Sequence, residues 1–425
     1  MSYKNAAKND YDVAIIGGGP AGMAAALKAK ETGCKNIVLV DREFYLGGIL
    51  HQCIHPGFGL KKFGKELTGP EYAHNYIEKL KSCGIDYFTD THVVNISPDK
   101  KISLTGVENG LFEITSKSIV LAMGCRERTR GSILTPGYRP AGIFTAGTAQ
   151  RLINIDGLMV GKKVVIVGSG DIGLIMARRL VLEGAEVVCV LEILPDLSGL
   201  VRNYHQCLID FEIPLFLSRA VTFIHGKERV SGVTFSEVDE NLNVVEGTQR
   251  YVDCDTILFS VGLIPENELS KKMNIEIDPK TNGPVVDNLM QTNVEGVFAC
   301  GNVVQVYDLV DYVSDCGEIA GLGASLFVRD LLDYPDKKIK IMAGSGIKSI
   351  VPQIFRKYDA TENNQIYLRV SEFKRNLKFI FNAGPKIIAE VKKQYAIPSE
   401  MITIDISKFI EKFYDHEEIQ LSVKE

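Results

Sequence analysis

The stretch Tyr11-Asp12-Val13-Ala14-Ile15-Ile16-Gly17-Gly18-Gly19-Pro20-Ala21-Gly22 decides the fold. An apolar run from Tyr11 to Ile16 ends in a glycine turn. A helical pattern then continues to about Thr32, and a second apolar run spans Ile37 to Val40, so the segment reads as a β-α-β unit. The turn has the spacing G-x-G-x-x-G, with Pro20 and Ala21 inside it. Gly17 permits the tight turn, Gly19 lets backbone approach a pyrophosphate, and Gly22 lets the helix pack closely on the strand. The free N–H groups and positive dipole end of the helix suit phosphate. Asp41 lies 19 residues after Gly22, at the end of the next strand and before Arg42, and is placed to accept hydrogen bonds from an adenosine ribose.

The pattern starts again at Lys163–Val167, a strand followed by Gly168-Ser169-Gly170-Asp171-Ile172-Gly173, a helix over Ile172–Glu183 and a strand over Glu186–Leu191. Glu192 again lies 19 residues after the last glycine of its turn. A carboxylate there accepts from a ribose 2′-OH and repels a 2′-phosphate, and residues 193–200 contain no Arg or Lys, so NAD is favoured over NADP. One glycine turn is weak evidence. Two copies, each with the strand, helix and acid at the same offsets, are not. Gly17 and Gly168 are 151 residues apart, so the repeat is of whole domains and not of a solenoid.

Alternating runs over Tyr87–Ser116 and Ala220–Tyr251 read as β-meanders. Apolar strands over Ser118–Ala122 and Thr256–Ser260 end in Met123-Gly124 and Val261-Gly262. A further strand, Val297–Cys300, precedes a helix over about Leu309–Leu332, with Asp308 and Asp311 as its capping residues. The expected fold is α/β, with two Rossmann-type dinucleotide-binding domains, the second inserted in the first, and a small β-rich C-terminal module. The expected boundaries are 10–125 and 254–335 for the first domain, 126–253 for the second and 340–425 for the module. Tyr334-Pro335-Asp336 marks the last boundary. The module, with one helix near Lys386–Tyr395, carries no motif of chemistry and reads as a docking or oligomerisation domain.

Composition narrows the function. The chain has 425 residues, 45% hydrophobic, enough for several cores. Its formal net charge of −5 argues against a nucleic-acid partner. No apolar run is long enough for a spanning helix, and the polar start, Met1–Asp10, lacks a signal-peptide core. Nine cysteines, none in a C-x-x-C pair, fit reduced thiols in a cytoplasmic protein without a metal site.

At these residues the chain resembles the two-dinucleotide-binding-domain flavoproteins, the pyridine nucleotide–disulfide oxidoreductase superfamily, over about residues 10–330. The resemblance implies FAD at the first turn and NAD(H) at the second. Ala122-Met123-Gly124-Cys125-Arg126-Glu127-Arg128 is similar to the family's A-T-G-x-R-x-R crossing, and Gly296-Val297-Phe298-Ala299-Cys300-Gly301-Asn302 to its late flavin motif G-V-F-A-x-G-D. Asn302 replaces the aspartate that contacts the ribityl chain there and can still bond a hydroxyl. The disulfide-reductase branch fits poorly. Gly48 stands where Cys53 would need a cysteine partner, and Ile175 stands where that branch has a glutamate. Leu46–Leu60 with Leu67–Ala73 is similar to flavoproteins that work beside glycerol-3-phosphate, opine or hydroxyproline dehydrogenase-type subunits. It implies an NADH-handling subunit with a glycerol-3-phosphate dehydrogenase-like flavoprotein partner, and a small electron carrier as a further subunit.

The cofactor-binding candidates are thus Gly17, Gly19, Pro20, Ala21, Gly22, Asp41, Arg42, Gly48, Ala122, Gly124 and Arg126 with Gly168, Gly170, Asp171, Ile172, Gly173, Glu192, Gly262, Gly301 and Asn302. The catalytic candidates are Cys53, His51 and His55. Cys53 reads either as a redox thiol or as a buried inert one. The histidines read either as proton donors or as wall and surface residues. Two rival functions remain open at this point. One is a stand-alone NADH oxidase or peroxide reductase using Cys53, and the other a non-catalytic dinucleotide-binding scaffold.

Overall fold

The computed structural model describes residues 9–333, 337–358 and 364–424. Two units divide the chain, residues 1–125 with 265–425 and residues 126–264. The first opens with β1 (Asp10–Ile16), α1 (Pro20–Glu31) and β2 (Ile37–Val40), then α2 (Gly69–Ser82), β3 (Asp86–Phe88), β4 (Thr91–Ile96), β5 (Lys101–Gly106) and β6 (Gly110–Leu121). Strands β3-β2-β1-β6 run parallel, and β6 turns back through β5 and β4 antiparallel. Ile15 sits opposite both Leu39 and Val120, so β1 is central and buried on both faces, which is why it reads as an unbroken apolar run. Helix α2 starts on a capping box in which Thr68 and Glu71 each accept from the other's backbone N–H.

The second unit contains β7 (Ile143–Thr145), β8 (Lys163–Val167), α3 (Asp171–Leu182), β9 (Glu186–Leu191), β10 (Leu215–Phe216), β11 (Arg219–His225), β12 (Gly232–Glu237), β13 (Arg250–Val252) and β14 (Thr256–Phe259). Its main sheet, β7-β14-β8-β9-β10, is parallel throughout, and β11-β12-β13 form an antiparallel sheet. The boundary expected at residue 253 moves to 264. Ile257 of β14 pairs with both Val165 and Ile143, which makes β14 an interior strand of the second sheet.

Back in the first unit, β15 (Val297–Ala299) pairs parallel with β6, and α4 (Val310–Val328) packs on α1. A Cβ at Gly317 or Gly321 would stand 2.2 Å from the carbonyl oxygen of Ala21 or Ala25, so the two helices meet backbone to backbone. Helix α4 is shorter than expected at its C-terminal end, and neither Asp308 nor Asp311 caps it. Asp308 pairs with Arg369, and Asp311 accepts from Lys61 N at 2.9 Å.

The C-terminal module, also in the first unit, contains β16 (Ile339–Ala343), β17 (Ile347–Val351), β18 (Ile354–Phe355), β19 (Gln365–Val370), β20 (Lys374–Ala383), β21 (Lys386–Ala396), β22 (Ile402–Asp405) and β23 (Glu418–Lys424). They form a five-stranded sheet, β18-β16-β23-β20-β21, and a three-stranded one, β17-β19-β22. The helix expected near 386–395 is a strand. Gly384, at φ +56, turns the chain so that Val391 lies opposite Phe379, and cross-strand pairing overrides the local helical pattern. Tyr334-Pro335-Asp336 lies outside the described residues. The module has its own core, yet Val351, Tyr358, Tyr367 and Met401 belong to the core of the first sheet. Buried Asp287 fastens the two, accepting from Tyr358 OH at 2.7 Å beside the Arg356 guanidinium at 3.3 Å. No helix among the described residues is long and apolar enough to cross a membrane.

Candidate active site: two glycine turns

In the first unit, Gly17 ends β1 at φ +109, and a Cβ there would meet the Ala122 carbonyl oxygen at 2.3 Å. The strand ends at Ile16 and Leu121 are therefore drawn together under the turn. Gly19 caps α1, with Pro20 in its first turn, and a Cβ on Gly19 would meet nothing within 4 Å. The backbone at the helix start is thus open on the side where a phosphate would approach. Gly22 could not carry a Cβ, because Gly17 O would stand 1.8 Å away. Gly48 lies against this turn, 3.1 Å from Gly19 Cα to where its Cβ would be, and Gly47 N donates to Gly18 O at 2.8 Å.

Asp41 is buried. Its Oδ2 accepts from Gly18 N at 2.5 Å and its Oδ1 from Glu43 N at 2.8 Å. Burial holds its carboxyl above the ordinary value, against the pull of these two N–H groups. A carboxylate has about four lone-pair sites, so Asp41 retains capacity for two further donors such as ribose hydroxyls. Arg42 beside it is exposed. Gly301, at φ +72, lies close on Ala21, and Gly124, at φ +72, has open space beside it. Asn302 donates to Cys125 Sγ at 3.7 Å and accepts from Tyr307 N at 3.1 Å, so its amide ties the late motif to the crossing.

The fit to FAD can be tested on these residues. Gln305 Nε2 and Asp311 Oδ1, which follow Gly301-Asn302 on the way into α4, are buried with no hydrogen-bond partner among the described residues. Buried polar groups ordinarily find one, and the polar edge of a bound flavin is a partner of the right kind. With the open cradle at Gly19, they fit the group.

In the second unit, Gly168 repeats Gly17. A Cβ on it would meet Ser260 O at 2.2 Å, and Gly170 caps α3. Gly173 N donates to Ser260 Oγ, and the start of α3 presents Asp171 and Ile172. Glu192 departs from the expected picture. It is 3% exposed, and its carboxylate accepts from Ser169 N, Ser169 Oγ, Ser198 Oγ and Leu194 N at 2.6–3.0 Å. Three of these donors converge on Oε2 and one meets Oε1, so Oε2 is fully engaged and Oε1 keeps one acceptor site. Asp171 meanwhile accepts from Leu200 N and Asn203 Nδ2, so the loop after β9 is fastened across the start of α3. In this conformation the buried Glu192 side chain holds a loop and keeps less acceptor capacity for a ribose than Asp41 does. Sequence offset located the carboxylate but could not reveal Ser169 and Ser198, whose role depends on the loop folding back. Arg126 is exposed, and Arg128 N donates to Gly262 O.

The catalytic candidates separate. Cys53 is partly exposed, and desolvation by the protein around it pushes its thiol up to about 12. His55 Nδ1 meets Pro56 O at 2.9 Å, and its ring lies on Phe58. His51 Nε2 meets Leu46 O at 2.5 Å, so Nε2 carries a proton and donates it to that carbonyl. His51 also lines a cavity of about 660 Å³ with Lys65, Glu71, His74, Asn75 and apolar Phe63, Leu67, Pro70 and Ile77. His51 thus faces a cavity large enough for a small molecule. Lys65, His74 and Asn75 are not legible in the sequence as neighbours of His51, because α2 and the segment before it bring them there only in three dimensions.

Residues 11–317 match the family model for the pyridine nucleotide-disulphide oxidoreductases. The chain belongs to that family. The family binds FAD and NAD(P)H, so these are the cofactors of the fold described above. An opine oxidase subunit of Agrobacterium tumefaciens (strain Ach5) is 24% identical over 313 residues, 69% of this chain and 61% of that protein. Thioredoxin reductase of Peptoclostridium acidaminophilum is 28% identical over 332 residues, 76% of this chain and 98% of that protein. The chain thus spans about three fifths of the opine oxidase protein. The crystal structure of T. acidophilum thioredoxin reductase matches in fold with a TM-score of 0.63 at 22% identity, covering 76% of this chain and all of that one.

Proposed function

We propose that this family member exchanges a hydride between NAD(H), held at Gly168–Gly173, and FAD, held at Gly17–Gly22, as the NADH-handling subunit of a dehydrogenase of the glycerol-3-phosphate type. The observation that carries the reading is the duplicated turn. Each copy ends a central parallel strand, opens a helix and has its second position fastened to a buried acid on the next strand. FAD supplies the two-electron chemistry when bound. The chain's own residues hold and select. Gly19 leaves room for pyrophosphate, Asp41 accepts from the adenosine ribose, and the buried charge of Glu192 disfavours a 2′-phosphate. Preference for NADH then comes from charge and loop shape more than from hydrogen bonding, because most acceptor sites of Glu192 are already engaged.

A role within a larger assembly is supported by the likeness of Leu46–Leu60 to flavoproteins that work beside a second flavoprotein, and by a relative whose name marks it as one component of an oxidase. The His51 cavity offers a place for an acceptor or small carrier. A peroxide reductase working through Cys53 is disfavoured by a thiol held near 12, since the thiolate is the nucleophile. A scaffold is disfavoured by two complete glycine turns, the first of them open at Gly19. Steady-state turnover of the purified chain with NADH and an artificial acceptor, beside an assay of glycerol-3-phosphate with NAD⁺, tests the reading. Turnover in the first alone is expected. Glycerol-3-phosphate oxidation by the isolated chain at enzyme-like rates overturns the partner, and no turnover in either overturns the enzyme.

A further inference from the structure

Strand β21 is the outermost strand of its five-stranded sheet. One side pairs with β20 from Lys386 to Ala396, and the other has no strand beside it among the described residues. An eleven-residue edge of this kind presents a row of backbone N–H and C=O groups, a template for another strand. Lysines on an edge ordinarily repel such pairing, and Lys392 and Lys393 are exposed here. The charges are nevertheless spaced to complement themselves. Glu390 and Lys392 are both exposed and share one face, while Val391 between them faces the core. Lys392 also lies directly opposite Lys378 on β20, a like-charge pair that destabilises a sheet unless a carboxylate stands near. Glu390 already serves Lys378 at 3.5 Å.

We propose that β21 pairs with β21 of a second copy of this chain, antiparallel about a two-fold axis, with Val391 opposite Val391. In that register Glu390 of each copy faces Lys392 of the other, on the same sheet face, which gives two ion pairs from one contact. Lys392 gains a carboxylate directly opposite it, where its own hairpin sets Lys378. The neighbouring registers fail on charge. Centring the axis on Glu390 sets two carboxylates against each other, and centring it on Lys392 sets two ammonium groups together. Two five-stranded sheets would then continue as one across the axis.

Sedimentation velocity of the full chain under reducing conditions at tens of micromolar tests this, with flavin content as the folding check. The wild type is expected to be a dimer. Lys392→Glu and Glu390→Lys each place two repulsive pairs in the contact and should raise the dissociation constant by about tenfold or more. The double exchange, Glu390→Lys with Lys392→Glu, should restore it. Val391→Cys should cross-link under mild oxidation faster than either the wild type or Ile387→Cys. A monomeric wild type overturns the proposal. So does a dimer indifferent to both single reversals, or equal cross-linking at the two engineered positions.

Discussion

At the scale of single residues, two acids at the same sequence offset do different work. Asp41 meets two protein donors and keeps room for a ligand, whereas Glu192 meets four. Glu192→Gln removes a charge and puts an amide where three donors converge. It should cost about 1–3 kcal/mol in denaturant unfolding and raise KM for NADH. The NADH-to-NADPH preference should narrow at the same time. An unchanged KM with unchanged stability would show that the loop does not depend on this carboxylate. Cys53 is the simpler case. With its thiol pushed up to about 12, less than ~0.1% is thiolate at neutral pH. Cys53→Ser should therefore leave NADH-driven flavin reduction within about twofold, an outcome read by stopped-flow absorbance. The glycines, Asp41 and Glu192 were legible because each answers a local requirement at a fixed offset. The role of Cys53 is not legible in the sequence, because desolvation of its thiol comes from packing and not from its neighbours along the chain.

At the scale of elements, helix α1 and helix α4 touch through Gly317 and Gly321. A methyl group at either would lie 2.2 Å from a carbonyl oxygen of α1, a contact that backbone must move to relieve. Gly317→Ala should destabilise by roughly 1–3 kcal/mol and loosen the flavin, since the contacted residue, Ala21, belongs to the phosphate turn. The thermal midpoint and the fraction of FAD retained on gel filtration measure both effects. A variant with wild-type values in each would show that the helices can separate freely. Strands and helices of the two β-α-β units could be read from the sequence because apolar runs, glycine turns and acids agree there. Strand β21 could not, because Lys386–Ala396 alternates imperfectly and acquires its state only from its pairing with β20.

At the scale of the whole molecule, the C-terminal module is tied to the first core by a buried acid. Asp287 accepts from Tyr358 OH and from the backbone N–H groups of Leu289 and Gln291, beside Arg356. Asp287→Ala leaves these donors and a mostly buried guanidinium uncompensated, and should cost about 3–5 kcal/mol in urea unfolding. The sequence suggests a separate module over 340–425 but holds no sign that Tyr358, Tyr367 and Met401 complete the core of the first sheet, since long-range packing leaves no local pattern.

Buried thiols set a pH dependence at the same scale. Cys189, Cys254 and Cys316 are each pushed up to about 12 by burial. A thiol raised in the folded state binds its proton more tightly there. Its contribution to stability is complete below the unfolded value of about 8.5 and is lost as pH rises towards 12. The melting temperature under reducing conditions should hold to about pH 8.5 and fall progressively above it. A flat profile to pH 10 would contradict the burial of these thiols.

The central claim is that one chain carries two dinucleotide sites and passes electrons between them. Anaerobic mixing of the purified yellow protein with NADH, followed by flavin absorbance, tests it most directly. The account predicts that the protein releases FAD on denaturation, that NADH bleaches the flavin, and that NADPH does so far more slowly. A protein that takes up no FAD, or whose bound FAD stays oxidised under excess NADH, would contradict it.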